Sequence, residues 1–99
     1  MARFDVCPLA NGSGLVLEVQ ADLLESLKSR VVVPLIPLAE FSKPAKRLNP
    51  VFEINGVPYV MASQFLAAIS SASMNEPLLS LRNHDIEITN ALDMVFSGF

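Results

Sequence analysis

The stretch Asn83–Phe99, NHDIEITNALDMVFSGF, decides how the rest of the chain is read. Ile88, Leu92, Val95 and Phe99 recur at four-, three- and four-residue steps, which predicts an amphipathic helix at the end of the chain. Ala91 and Ile86 are expected to widen the apolar stripe, with Glu87, Asn90, Asp93 and Ser97 on the polar side. Asn83 is the expected N-cap, since its amide oxygen can accept from an orphan N–H of the first turn. Asp85 and Glu87 follow where the positive end of the helix dipole favours carboxylates.

Upstream of the helix the pattern is that of strands. Arg3–Leu9 alternates, with Phe4 and Val6 on one face and Asp5 and Cys7 on the other. Asn11-Gly12-Ser13-Gly14 supplies a turn. Leu15–Ala21 then places Leu15, Leu17, Val19 and Ala21 inward, with Glu18 and Gln20 outward. Asp22–Arg30 reads as one helical turn or an exposed loop. Arg30–Leu38, RVVVPLIPL, is an aliphatic strand buried on both faces or at an interface, with Pro34 and Pro37 expected at an edge or a bend. Ala39–Pro50 reads as a long surface loop. Val51–Ile54, Asn55-Gly56 and Val57–Met61 form the clearest hairpin, its second strand held near an edge by Pro58. Ala62–Ser73 suits either a helix, by its alanines, or a short strand with loops, by its serines. Asn75–Pro77 is a turn and Leu78–Leu81 a short strand or connector. Such an order of elements is mainly β (α+β): an antiparallel sheet closed or capped by the last helix, in a single domain spanning residues 1–99.

A domain of 99 residues buries roughly 60–68% of the surface its unfolded chain exposes, so it stands alone with a thin margin. Its 52% hydrophobic and 17% charged residues are an apolar surplus, which on a small domain points to a homodimer. A net charge of −3 argues against direct nucleic-acid binding. No apolar run is long enough for a membrane span, and no secretory signal is evident at the N-terminus. A single cysteine, Cys7, forms no internal disulfide and suits a reducing cytoplasm.

Catalytic motifs are sparse. His84 is the only histidine, and alone at a helix start it is expected to be inert. Cys7 reads as a small buried hydrophobe. One His and one Cys give no zinc spacing, and there is no phosphate loop or nucleophile elbow, so no metal or cofactor is expected. Asp5, Glu18, Asp22, Glu25, Glu40 and Glu53 read as scattered, solvated carboxylates. Lys43, Lys46 and Arg47 form the one basic cluster, either a solvated loop tip or a contact for an acidic partner peptide. By elimination the chain is expected to bind rather than catalyse, and not to be an enzyme.

DIEITNALDMVFSGF also resembles the C-terminal helix of the CcdB toxin family. The resemblance continues in order through RFDV, LVLEVQADLLES, RVVVPL, NPVFEI and LSLRNHDIEITNAL, nearly the whole chain. It implies an SH3-like small barrel of antiparallel strands with a C-terminal α-helix, and settles Ala62–Ser73 as a short strand with loops. It further implies a cytoplasmic, homodimeric toxin of a type II toxin–antitoxin system, associated with plasmid maintenance. Such a toxin is a topoisomerase inhibitor that binds the A subunit of DNA gyrase and traps the cleaved-DNA complex. An antitoxin of CcdA type, with a disordered C-terminal tail, would neutralise it, and Lys43, Lys46 and Arg47 are its expected contacts. Gyrase contact would fall on Ser97, Gly98 and Phe99, and the dimer interface on Ala21, Met94, Val95 and Phe96. The chain departs from the family's Trp-Gly-Ile-like end: Ser97 stands where the tryptophan is expected. An aromatic anchor at an interface centre carries about 2 kcal/mol or more, so the substitution bears directly on gyrase poisoning. The alternatives are a MazF- or Kid-type endoribonuclease, which resembles the same barrel and would draw on Arg30, Arg47 and Asp5, or a member that keeps its antitoxin but has lost the poison.

Overall fold

The computed structural model describes residues 2–98. Seven strands and one α-helix form a curled antiparallel sheet, a half-barrel with the helix packed into it, in agreement with the small barrel expected. The strands are β1 (Asp5–Pro8), β2 (Leu15–Glu18), β3 (Ser29–Pro37), β4 (Val51–Ile54), β5 (Val57–Met61), β6 (Ala67–Ser70) and β7 (Leu79–Ser80). They lie in the order β4-β5-β3-β2-β1-β7, with β6 also on β3. The helix, α1, is Asp85–Ser97.

β3 is the spine. One side pairs with β2 from Leu15↔Leu35 to Glu18↔Val32. The other side takes β6 along Ser29–Val32 and β5 along Leu35–Pro37. Pro34 sits where one partner gives way to the other, so its missing N–H interrupts no ladder, while its carbonyl accepts from the Ala62 N–H. The expected bend or edge is thus a change of partner in mid-sheet. The β4–β5 hairpin turns through Asn55 (φ 52°) and Gly56 (φ 82°), both left-handed as a two-residue type I′ turn requires. Asn is the non-glycine residue that tolerates this region best.

The main core gathers Phe4, Val6, Leu17, Val19, Val33, Leu35, Phe52, Ile54 and Met61 under Ile88, Ala91 and Leu92 of α1. Ile88 and Leu92 are one turn apart on the same face, and burying each is worth about 1.5–3 kcal/mol. A second, smaller core lies on the other face of β2 and β3, where Cys7, Val16, Val32 and Met74 meet beneath Leu9 and Ile69. Both faces of the central strands are therefore covered.

That double burial corrects several expectations. Glu18 and Gln20, read as outward, are buried, at 3% and 8% exposure, while Ala21 is exposed. Cys7 does face away from Val6, yet both are fully buried, in different cores. Ile86 does not widen the helical stripe, being 72% exposed. Two residues at about 100° each put it on the far side of the helix from Ile88. Asn83 is not the N-cap: it lies inside a 3₁₀ turn, Arg82–His84, and His84 takes the cap position without a side-chain bond to the backbone. Ala62–Ser73 does hold a short strand, β6, between two 3₁₀ turns. No helix among the described residues is long and apolar enough to cross a membrane.

Candidate functional site

α1 ends where Gly98 turns left-handed (φ 76°) and its N–H bonds the Met94 carbonyl at 3.0 Å, a glycine C-cap. Before that cap the helix loses its burial. Met94 and Val95 are half-buried, Ser97 and Gly98 are exposed, and Phe96 is 70% exposed. An aromatic ring held out from the last helical turn is positioned for contact with another surface. Phe99 lies outside the described residues, so the proposed contact is seen only as far as Ser97 and Gly98.

Beside this tip an apolar groove of about 370 Å³ runs between α1 and the barrel, lined among others by Val19, Ala21, Leu24, Leu66, Leu92 and Phe96. The loop 21–28 forms one bank, and it holds Leu23, Leu24 and Leu27 out to solvent. Of the expected interface residues, Ala21 and Phe96 share the groove. Met94 does not, because two helical residues place it about 200° around from Phe96.

The leucine loop is held from beneath. Arg30, 8% exposed, donates to the carbonyls of Leu27 (2.8 Å), Ser29 (3.3 Å) and Glu25. Its Nε lies 3.4 Å from Glu18 Oε1, an ion-pair distance at which the two atoms are not aligned as a hydrogen bond. Burial pushes the Glu18 carboxyl upward, and the Arg30 guanidinium only partly offsets this. Gln20 Nε2 donates to the Leu24 carbonyl, and its Oε1 accepts from the Val31 N–H. Asp22 Oδ1 accepts from the Arg3 N–H at 2.7 Å. Glu18 is thus no solvated carboxylate but the counter-ion of the residue that shapes this loop. The groove-lining Leu24 and Leu66 and the supports Glu18, Gln20 and Arg30 escaped the sequence reading; the Leu23-Leu24 pair in an otherwise polar segment was the one available signal.

The basic cluster lies elsewhere. Lys43, Lys46 and Arg47 are exposed, and none of them makes an ion pair among the described residues. Lys46 and Arg47 border a cleft of about 140 Å³ with Pro50 and with Glu87 and Asn90 of α1. The His84 ring packs tilted against Phe52, 5.0 Å between ring centroids and 57° between planes, and its Nδ1 lies 2.9 Å from Glu87 Oε1. Cys7 is fully buried and its thiol is pushed up to about 11, chiefly by burial, so it is no nucleophile near neutral pH. Arg30, Arg47 and Asp5 do not converge: Arg30 is buried under the loop, Arg47 borders the basic cleft, and Asp5 borders a separate cleft with Ser80, Arg82 and Asn83.

The family model described as "CcdB protein" matches residues 3–98. Among solved structures, an endoribonuclease in complex with its cognate antitoxin, from a mycobacterial species, superposes with a TM-score of 0.77 at 15% identity, covering 97% of this chain and 94% of that one. A MazF toxin from Mycobacterium tuberculosis gives 0.76 at 12% identity, covering 93% and 95%. A further mycobacterial endoribonuclease gives 0.75 at 14% identity, covering 97% and 90%. At these identities the likeness is one of fold. It nonetheless overturns the expectation that the chain is not an enzyme. That expectation came from eliminating familiar motifs, whereas barrels of this architecture include endoribonucleases.

Proposed function

Because the chain belongs to the CcdB family, the toxin partners of antitoxins, with residues 3–98 matched, we propose that it poisons DNA gyrase through the tip of its last helix. The helix end would engage the A subunit and hold the enzyme on cleaved DNA. One observation carries the reading: beyond the half-buried Met94 and Val95 the helix ends in an exposed Ser97 and a left-handed glycine cap at Gly98. Ser97 stands where the family's tryptophan is expected, directly after the interface residue Phe96. Phe99 completes the proposed contact.

The toxin acts in the cytoplasm as a homodimer in this reading. Ala21 and Phe96, with the loop leucines, form the apolar face that a second copy covers, and the half-buried Val95 precedes Phe96 on the same helix. The antitoxin tail lies along Lys43, Lys46 and Arg47, whose free charges suit an acidic segment.

Incubation of the protein with gyrase and supercoiled plasmid tests the proposal. Linear DNA released by detergent and protease is the expected product. Ser97→Trp should raise potency by up to about thirtyfold, the equivalent of about 2 kcal/mol at an interface anchor. Linear DNA from Ser97→Trp alone would mark a member that has kept its fold and lost its poison. None from either protein would overturn the proposal.

The fold likeness favours a second reading, an endoribonuclease. Sequence-specific cuts in single-stranded RNA, without effect on gyrase, would establish it.

A further inference from the structure

A fourth cleft, of about 450 Å³ and touched by no residue of α1, opens at the far end of the β2–β3 pair. Its walls are the turn Gly12-Ser13-Gly14, the strand end Leu35-Ile36-Pro37, Glu40 from the 3₁₀ turn that follows β3, and Tyr59 of β5. Pairing of Pro37 with Tyr59 holds the aromatic side chain beside the strand end, and the pairing of Leu15 with Leu35 brings the glycine turn alongside it.

The polar groups in this cleft are unbalanced. Of the turn's donors, the Ser13 N–H and hydroxyl are both spent on Asn11 Oδ1, at 2.9 and 2.6 Å, and the Gly12 N–H is spent on the Leu9 carbonyl at 3.0 Å, which leaves the Gly14 N–H without a bond among the described residues. The acceptors remain. The Glu40 carboxylate, an acceptor only, and the Tyr59 hydroxyl, which can donate or accept, have no hydrogen-bond partner among the described residues, and Glu40 makes no ion pair there. No lysine, arginine or histidine lines the cleft. Leu35, Ile36 and Pro37 give it an apolar floor beside the half-buried Tyr59 ring.

A cleft with open acceptors, one unpaired carboxylate, an aromatic ring and an aliphatic floor selects its ligand by chemistry. It repels phosphates and carboxylates. It suits a cation carried on an apolar stem, whose head meets Glu40 and the ring while the stem lies along Pro37. We propose that this cleft binds an arginine or lysine side chain presented by a protein partner. Arginine fits best, because its flat guanidinium both stacks on a ring and forks onto a carboxylate. The site is independent of the gyrase proposal and shares no residue with the helix tip or its groove.

The test is a titration of the isotopically labelled protein with N-acetyl-arginine amide, followed by amide chemical shifts. Perturbations confined to Gly12–Gly14, Ile36, Glu40 and Tyr59 are expected, with a dissociation constant on the order of 1 mM for so small a probe. Glu40→Gln should weaken binding about fivefold, and Glu40→Lys should abolish it. Glu40 is exposed and unpaired, so both variants should keep the wild-type spectrum elsewhere. N-acetyl-glutamate amide and uridine monophosphate should leave the same signals unmoved. Spermidine separates the two sources of such a cation: the protein side chain is supported if arginine amide binds more tightly and overturned if the polyamine does. Absent shifts at these residues, undiminished binding by Glu40→Lys, or equal binding of the nucleotide would each overturn the site.

Discussion

The hairpin Val51–Met61 and the segment Glu18–Arg30 follow opposite rules. In the hairpin, Phe52 and Ile54 point inward, Val51 and Glu53 point outward, and the turn carries the residues its left-handed backbone demands. In the segment, Glu18, Gln20 and Arg30 are buried while Leu23, Leu24 and Leu27 are exposed. The first region is built for its own stability. In the second, buried polar groups hold a loop whose leucines stay half to almost fully exposed among the described residues, the arrangement expected of a surface shaped for something else.

Removal of the ion pair should break that contrast most sharply. Arg30→Met leaves Glu18 buried without its counter-ion and releases two loop carbonyls and that of Ser29 at the start of β3. We expect a loss of about 3–5 kcal/mol in urea unfolding. Adding Glu18→Met should recover most of it, because the uncompensated charge goes too. Phe52→Ala in the hairpin should cost a similar 3–5 kcal/mol, but as a cavity that no second truncation repairs. If the double variant at 18 and 30 is no better than the single, the pair is not the loop's support.

The turn offers a smaller effect of a different origin. Gly56 sits at φ 82° with open space where a Cβ would go, so Gly56→Val is strained by backbone conformation alone. A cost of about 1–2 kcal/mol is expected, with no change in the segment's loop signals.

These two regions also show why part of the molecule was legible and part was not. Asn55-Gly56 and the Ile88/Leu92 spacing are local signals, and they placed the hairpin and the helix correctly. Alternation in β2 misled because it assumes one solvated face. Here β6 and the chain around Met74 cover the second face, so residues of both parities are buried. The partner that lets Glu18 enter is Arg30, on the neighbouring strand, diagonally across the register Glu18↔Val32. Nothing near Glu18 in sequence announces it. The helix tip was legible as an apolar end, whereas the groove beside it needed Ala21, Leu66 and Phe96 to be brought together by the fold. The Glu40–Tyr59 cleft likewise joins residues from separate elements.

A pH series sharpens the contrast further. Folding raises the Glu18 carboxyl above its ordinary value of 4.5, so the native chain holds that proton to higher pH than the unfolded one. This contribution is fully present below the unfolded value and is lost as pH rises through the folded one. Relative to Glu18→Gln, which does not titrate, wild-type stability should therefore fall as pH rises from 4.5. A flat difference for Glu18→Gln would mean that burial and Arg30 cancel.

The smallest effect on stability is the most telling about purpose. Leu23 is 91% exposed, so Leu23→Ser gives up almost no burial within the chain and should change the unfolding free energy by less than about 0.5 kcal/mol. A leucine stranded on an inert loop would show nothing more. A leucine presented to a second copy would show a dimer that dissociates at concentrations where the wild type stays assembled, as sedimentation equilibrium can measure. Phe96→Ser at the other bank of the groove should shift the same equilibrium, while Val51→Ser, on the exposed side of the hairpin, should not. Because none of these changes disturbs Glu18 or Arg30, any weakening comes from the presented surface and not from its support. If all three remain equally assembled, the loop's rigidity serves a partner other than this chain.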